Sequence, residues 1–179
     1  GAAAVFDTAM QRGLARRIGQ QSIVLLKNED HLLPLAKSLG SVAVIGPNAG
    51  VSRNLVGDYT YICHVETLIE AREKDNAFGA AIAEDIEIVE DFVPIASVLE
   101  AIRLAVSPAT TVHFAQGCDV NSDRRDGFAE AVEAARQAEV AIVVVGDKSG
   151  LTDDCTSGEA RDRASLALPG VQQQLVAAV

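Results

Sequence analysis

Val140-Ala141-Ile142-Val143-Val144-Val145 is an unbroken apolar run with four valines and one isoleucine. β-Branched side chains are stiff about χ1 and pack well on a pleated surface, so such a run favours extended backbone. It is too short for an ordinary buried helix and has no polar–apolar alternation, which predicts a strand covered on both faces. Ser41-Val42-Ala43-Val44-Ile45-Gly46 has the same character, and Thr110-Thr111-Val112-His113-Phe114-Ala115 reads as a further strand.

Between and around these runs the apolar residues recur at helical spacing. Pro94 opens a helix whose apolar face is Ile95, Val98, Leu99, Ile102 and Ala105. Residues 127–138 place Phe128, Val132 and Ala135 on one face, and residues 169–179 do the same with Val171, Leu175 and Val179. Residues 64–73 are helix-like through Val65, Leu68 and Ile69, and residues 7–21 through Met10, Leu14 and Ile18. Ser22-Ile23-Val24-Leu25-Leu26 reads either as a strand or as the buried end of that first helix; periodicity does not decide. The acidic stretch 76–91 reads as a helical or hairpin insertion, with residues 84–91 a solvated face.

Strand and helix alternate, which predicts parallel strands joined by right-handed crossovers. The expected fold is α/β: an open, mostly parallel sheet with helices on both faces, a three-layer α/β/α sandwich. The last helix ends at Val179, where a crossover is expected to deliver another strand, so the sandwich is expected to be partial at its C-terminal side. Residues 1–21 form a linker helix in this reading and residues 22–179 the sandwich.

Composition bounds the function. The chain has 179 residues, 49% hydrophobic and 22% charged, which suits one globular domain. Its net charge of −10 argues against a nucleic-acid partner, which needs a basic surface to displace counterions. Three widely spaced cysteines, Cys63, Cys118 and Cys155, make a poor disulfide framework and suggest a reducing, cytoplasmic compartment. No apolar run reaches the roughly 20 residues of a membrane span. The first residues lack a basic leader and an initiator Met, so the chain is expected to begin inside a longer protein.

Residues 146–166 form a polar connection longer than a strand and a helix require. Loops leaving the C-terminal ends of parallel strands commonly carry function, although spacing alone leaves a solvated excursion equally open. Glu159, beside Gly158, is a carboxyl that a loop apex can present. Elsewhere the signals are thinner. Gly46 and Gly50 follow a strand as a phosphate loop does, but without the third glycine of the dinucleotide pattern and with Pro47 between them. His31, His64 and His113 have no metal-type spacing, and the adjacent Asp153, Asp154 and Cys155 point in different directions. No metal and no cofactor are expected.

At this loop the sequence resembles glycoside hydrolase family three, the β-glucosidase and β-xylosidase family. The resemblance runs in order along nearly the whole chain: Ser22 to Glu29, then Leu32-Leu33-Pro34-Leu35, Val42-Ala43-Val44-Ile45-Gly46-Pro47-Asn48-Ala49, Gly57-Asp58-Tyr59, and Asp162-Arg163 with Leu166, Leu168-Pro169-Gly170 and Gln172. Ser157-Gly158-Glu159-Ala160-Arg161-Asp162-Arg163 is similar to the Ser-Gly-Glu-Gly-x-Asp-Arg segment that carries the acid/base glutamate in one branch, with Ala160 in place of the second glycine. A second branch has its glutamate where this chain has Ser157, which leaves Glu159.

The resemblance implies a barrel domain preceding the sandwich in the same protein, with the active site between them. It implies a retaining mechanism that cleaves terminal β-linked glucosyl or xylosyl units: a barrel Asp attacks the anomeric carbon and Glu159 protonates the leaving oxygen. The nucleophile then lies outside this chain, which alone is expected to be inactive. Asp58 and Tyr59 are expected to line the cleft and bind substrate, Tyr59 by stacking on a sugar face; Tyr59 packed against the sandwich is the competing expectation. Arg161 and Arg163, pointed at Glu159, would favour its charged form and hinder proton donation. They are therefore expected to turn away, Arg163 pairing with Asp162 or another acid. Two other readings stay open: a non-catalytic doubly wound domain holding a nucleotide or small ligand beyond Gly46, and a structural or carbohydrate-binding sandwich with a decayed catalytic loop.

Overall fold

The computed structural model describes residues 5–74 and 93–179. The stretch 76–91, read above as an insertion, lies outside them. The chain divides into two compact units, Gly1–Ala36 and Lys37–Val179.

The first unit is built on α1, Ala9–Ser22. Thr8 caps it: its hydroxyl accepts the Gln11 N–H at 3.2 Å, and the Gln11 side chain accepts the Thr8 N–H at 2.8 Å. This reciprocal pair satisfies two of the N–H groups that a helix start leaves open. The helix ends at Ser22 because Ile23 turns extended, with ψ of 125°. The apolar run that follows belongs to neither the helix nor any ladder among the described residues.

The second unit holds three parallel strands, β1 (Ser41–Ile45), β2 (Thr111–Ala115) and β3 (Val140–Val143), in the order β2-β1-β3. Ser41 lies opposite Thr111, and Val42 opposite Val140. Successive side chains of a strand point to opposite faces, so β1 serves two cores. Ala43 and Ile45 pack with Ala131 and Ala134 of α4 (Phe128–Arg136) and with Leu175 of α5 (Gln172–Ala178). Val44 packs with Leu99 of α3 (Val98–Ala105) on the other face, flanked by Ile102, Val112 and Val144. Helices thus cover both faces, and the fold is the expected α/β sandwich. Burying each large β1 side chain contributes about 1.5–3 kcal/mol.

Three local differences have plain causes. β3 lies at one edge and is only half covered, unlike the buried central β1. It closes at Val143: the Val144 N–H makes the last ladder bond, to Ile45 O at 2.7 Å, and its carbonyl then accepts the Asn48 N–H at 3.4 Å, because residue 47, whose N–H would continue the ladder, is proline. α3 starts at Val98 rather than near Pro94, because Ser97 and Glu100 form a capping box. The Ser97 hydroxyl accepts the Glu100 N–H at 3.2 Å, and Glu100 accepts the Ser97 N–H at 2.7 Å. The helix read at 64–73 starts earlier, as α2, Tyr61–Glu73, with Cys63 and Val65 buried.

Candidate active site

β1 and β3 are parallel neighbours, so the loops that leave their C-terminal ends emerge side by side. The loop after β3 begins at Gly146, which a fully buried Gln172 grips from α5. The Gln172 Oε1 accepts the Gly146 N–H at 2.8 Å, and its Nε2 donates to Gly146 O at 2.9 Å and to Val120 O at 2.7 Å. The loop then folds back on itself. The Thr156 N–H donates to Lys148 O at 2.9 Å, and the Gly150 N–H to Ser157 O at 3.0 Å.

At the far end, Gly158 and Arg161 exchange N–H···O bonds of 3.1 Å in both directions, leaving Glu159 and Ala160 as the two tip residues. Gly158 is required here: its φ is 141°, and a Cβ would lie 2.3 Å from Gly150 O. Glu159 is exposed, so the turn presents its carboxyl outward.

The structure brings all three sequence-predicted site residues together. Asp58 accepts the Glu159 backbone N–H at 2.8 Å on one oxygen and the Ser149 hydroxyl at 3.3 Å on the other. The Glu159 N–H, foremost, holds the Asp58 carboxyl below its ordinary range, with help from Ser149 and His64. The Glu159 carboxylate beside the Tyr59 hydroxyl pushes the phenol up. The Tyr59 ring is 72% exposed, so its faces stay open, and its centroid is 6.2 Å from the His64 ring at a 45° tilt.

Both flanking arginines are spent elsewhere. Arg161 donates to Asp153 O and Cys155 O, each at 3.2 Å. Arg163 donates to Ala167 O at 2.6 Å and lies 3.3 Å from Asp147, so its acid is Asp147 rather than Asp162. That Nε is buried and at ion-pair distance, but its angle to Asp147 is too poor for a hydrogen bond.

Residues that no sequence pattern singles out brace this arrangement. Arg53, its side chain 10% exposed, pairs with Glu66 of α2 at 2.7 Å and donates to Ser149 O at 3.0 Å. The partners stand 13 and 96 residues away, so no local pattern announces them. An open groove of about 270 Å³ lies between α2 and the loop, lined by Glu66, Glu70, Glu73, Lys148 and Asp154 among others. None of Asp58, Tyr59 and Glu159 lines it.

The turn after β1 does not make a phosphate cradle. The Gly46 N–H donates to Ala115 O at 3.0 Å, Asn48 to Val144 O at 3.4 Å and Ala49 to Gly46 O at 3.1 Å, so those donors are consumed within the protein. Among the described residues no group of three or more His, Cys, Asp or Glu side chains is placed to hold a metal, and no helix is long and apolar enough to cross a membrane.

One exposed carboxyl on a braced turn can donate and accept a proton; a two-carboxylate displacement needs a second acid facing it. Comparisons with known proteins give the family. The family model for the "Glycosyl hydrolase family 3 C-terminal domain" matches residues 23–179. The chain is 33% identical to a β-xylosidase of Formosa agariphila over 173 residues, covering 96% of this chain and 20% of that protein. It is 36% identical to a probable β-D-xylosidase of Arabidopsis thaliana, covering 94% of this chain and 17% of the relative. A periplasmic β-glucosidase of Salmonella typhimurium is 26% identical, with 97% and 21% covered. The chain thus spans about a fifth of the length of these relatives. Among solved structures, a family-3 exo-β-xylosidase in complex with a xylobiose aziridine probe superposes with a TM-score of 0.56 at 30% identity, over 94% of this chain and 17% of that one. A β-glucosidase from intestinal bacteria shares the fold with a TM-score of 0.66 at 23% identity, over 96% and 23%. With a braced carboxyl at the tip of the loop after β3 and a family match over most of its length, this chain belongs to the glycosyl hydrolase family 3 C-terminal domains.

Proposed function

We propose that the protein carrying this chain is a retaining β-glycosidase acting on terminal β-linked xylosyl or glucosyl units, and that Glu159 is its general acid/base. The observation that carries this reading is the exposed Glu159 carboxyl at a two-residue tip, with both flanking arginines committed to other partners. A barrel domain of the same protein supplies the nucleophilic Asp. In the first step that Asp attacks the anomeric carbon while Glu159 gives its proton to the departing glycosidic oxygen. In the second, Glu159 takes a proton from the water that releases the sugar. Xylosidases and glucosidases among the relatives support the sugar class. Tyr59 keeps an open ring face for stacking on a sugar, whereas both Asp58 oxygens already have donors.

The test is Glu159→Ala in the full-length enzyme, assayed on aryl β-glycosides with good and poor leaving groups. Poor leaving groups are expected to lose about 10²–10⁴-fold in rate, the usual contribution of a general acid, and good ones much less. Azide is expected to restore turnover by forming the β-glycosyl azide. An equal loss on all substrates without azide rescue would remove Glu159 from the role.

A further inference from the structure

We propose that Asp58 and Tyr59 together are the positioning residues of Glu159, a clasp that holds its backbone with one residue and its carboxyl with the next. The proposal rests on Glu159 being the acid/base, and it assigns the pair a role beyond contact with sugar.

An exposed glutamate on a tip fixed by two backbone bonds is poorly placed for proton transfer. Its side chain has three rotors, and misplacement of a reacting group by about 1 Å costs about a hundredfold in rate. The clasp addresses both the tip and the side chain. The Asp58 carboxylate accepts the Glu159 N–H at 2.8 Å, a charge-assisted bond stronger than a neutral one. Its other oxygen accepts the Ser149 hydroxyl at 3.3 Å. Ser149 is on the outgoing limb of the loop, bridged to Ser157 on the returning limb, so one carboxylate gathers both limbs. Tyr59, next in the chain after Asp58, brings its hydroxyl beside the Glu159 carboxylate, whose negative charge pushes the phenol up, and the ring that carries it has only two rotors.

The clasp is itself anchored. The Thr60 hydroxyl donates to Gly57 O at 2.8 Å, and the Cys63 thiol to the same oxygen at 3.0 Å, fixing residues 57–60 to the start of α2. Arg53 ties α2 back to Ser149 through Glu66. The contact therefore reaches Glu159 from a turn tied to the start of α2.

A sugar ligand and a positioning residue give different results in a double-mutant cycle. Asp58→Asn and Tyr59→Phe are made in the full-length enzyme, each with Glu159 present and with Glu159→Ala. Tyr59→Phe keeps the stacking ring and removes only the hydroxyl. With Glu159 present, each change is expected to lower kcat for poor leaving groups by about 10- to 100-fold, a part of what general-acid catalysis supplies, with KM moved less than about twofold. Good leaving groups are expected to lose less than about threefold. With Glu159→Ala, the same changes are expected to alter the rate less than about twofold, because there is no carboxyl left to position.

Equal losses in both backgrounds, a loss carried by KM, or no loss at all would overturn the clasp. Should Asp58→Asn fail to fold, Tyr59→Phe decides alone. If Glu159→Ala itself shows no leaving-group dependence, the acid assignment and the clasp fall together. If Glu159→Ala behaves as the acid while the cycle is additive, only the clasp falls.

Discussion

Ala160, at the tip beside Glu159, takes a φ of 59°, a left-handed conformation that costs a residue with a Cβ about 1–2 kcal/mol. The family segment that this loop resembles has glycine there, and the sequence shows only that alanine is stiffer; the backbone shows that it is strained. Ala160→Gly is expected to relieve about 1 kcal/mol after the added chain entropy of glycine. Opening of the tip then becomes about fivefold rarer, so exchange of the Gly158 and Arg161 amides should slow by that factor. Unchanged exchange would mean that the tip does not carry the strain. Asp58 gives a pH dependence with a definite sign. Its carboxyl is held below the ordinary 3.8, first by the Glu159 N–H, with Ser149 and His64 also favouring the charged form and Tyr59 adjoining. A depressed carboxyl contributes its stabilisation in full above the ordinary value and loses it as pH falls through the lower one. In a Glu159→Gln variant, whose own side chain does not titrate, the residue-159 amide should report a single NMR midpoint below 3.8 that matches the Asp58 carboxyl carbon. Two different midpoints would show that the N–H···Asp58 bond is absent.

Among the elements, Gln172 couples α5, the segment after β2 and the root of the loop after β3 through three bonds from one buried amide. Gln172→Leu fills similar space but strands the Gly146 N–H and two carbonyls. Each buried polar group left without a partner costs about 1–3 kcal/mol, so a loss of about 3 kcal/mol is expected in urea unfolding of the second unit. A loss below about 1 kcal/mol would mean that water takes over those bonds. What the sequence makes legible at this scale follows from the range of the forces involved. β1 is readable because a strand buried on both faces must be apolar throughout. β3 is readable in kind but not in length, since its ladder with β1 stops where Pro47 offers no N–H and Asn48 takes the Val144 carbonyl. The start of α3 is written locally as Ser97-Val98-Leu99-Glu100, a capping signal that the Pro94 reading passes over. Ser22 to Leu26 resists periodicity because it straddles the end of α1, and Ile23 to Leu26 lie in no helix or ladder among the described residues. The site divides in the same way. Glu159 carries a local motif, and Asp58 and Tyr59 are found by their place after β1. Arg53, Ser149 and Gln172 act through partners that no nearby residue reveals.

Across the second unit, the three cysteines are widely separated sensors of one body. Cys63 is on α2, Cys118 follows β2 and Cys155 is inside the loop after β3, at 0%, 7% and 2% exposure. Alkylation needs the thiolate and access to it. Burial, and then the neighbouring Asp119, push the Cys118 thiol up, so in the native state it is both hidden and protonated. Labelling therefore reports opening. A long polar loop is ordinarily among the first parts of a protein to open, which would let Cys155 react early. Here the loop is held at its root by Gln172, along its limbs by Arg53 and Asp58, and at Cys155 itself by the Thr152 hydroxyl at 3.2 Å. Those ties make its opening cost nearly that of the whole unit. Iodoacetamide labelling mapped by mass spectrometry across a urea series is expected to give one midpoint for all three cysteines. Cys155 labelling well before Cys63 and Cys118 would mean that the loop melts while the sheet is intact, and that the placement of Glu159 must come from a partner domain. Coincident midpoints would mean that the sandwich itself holds Glu159 in place, and that changes in its core, such as Ile45→Val, reach Glu159 through the same cooperative transition.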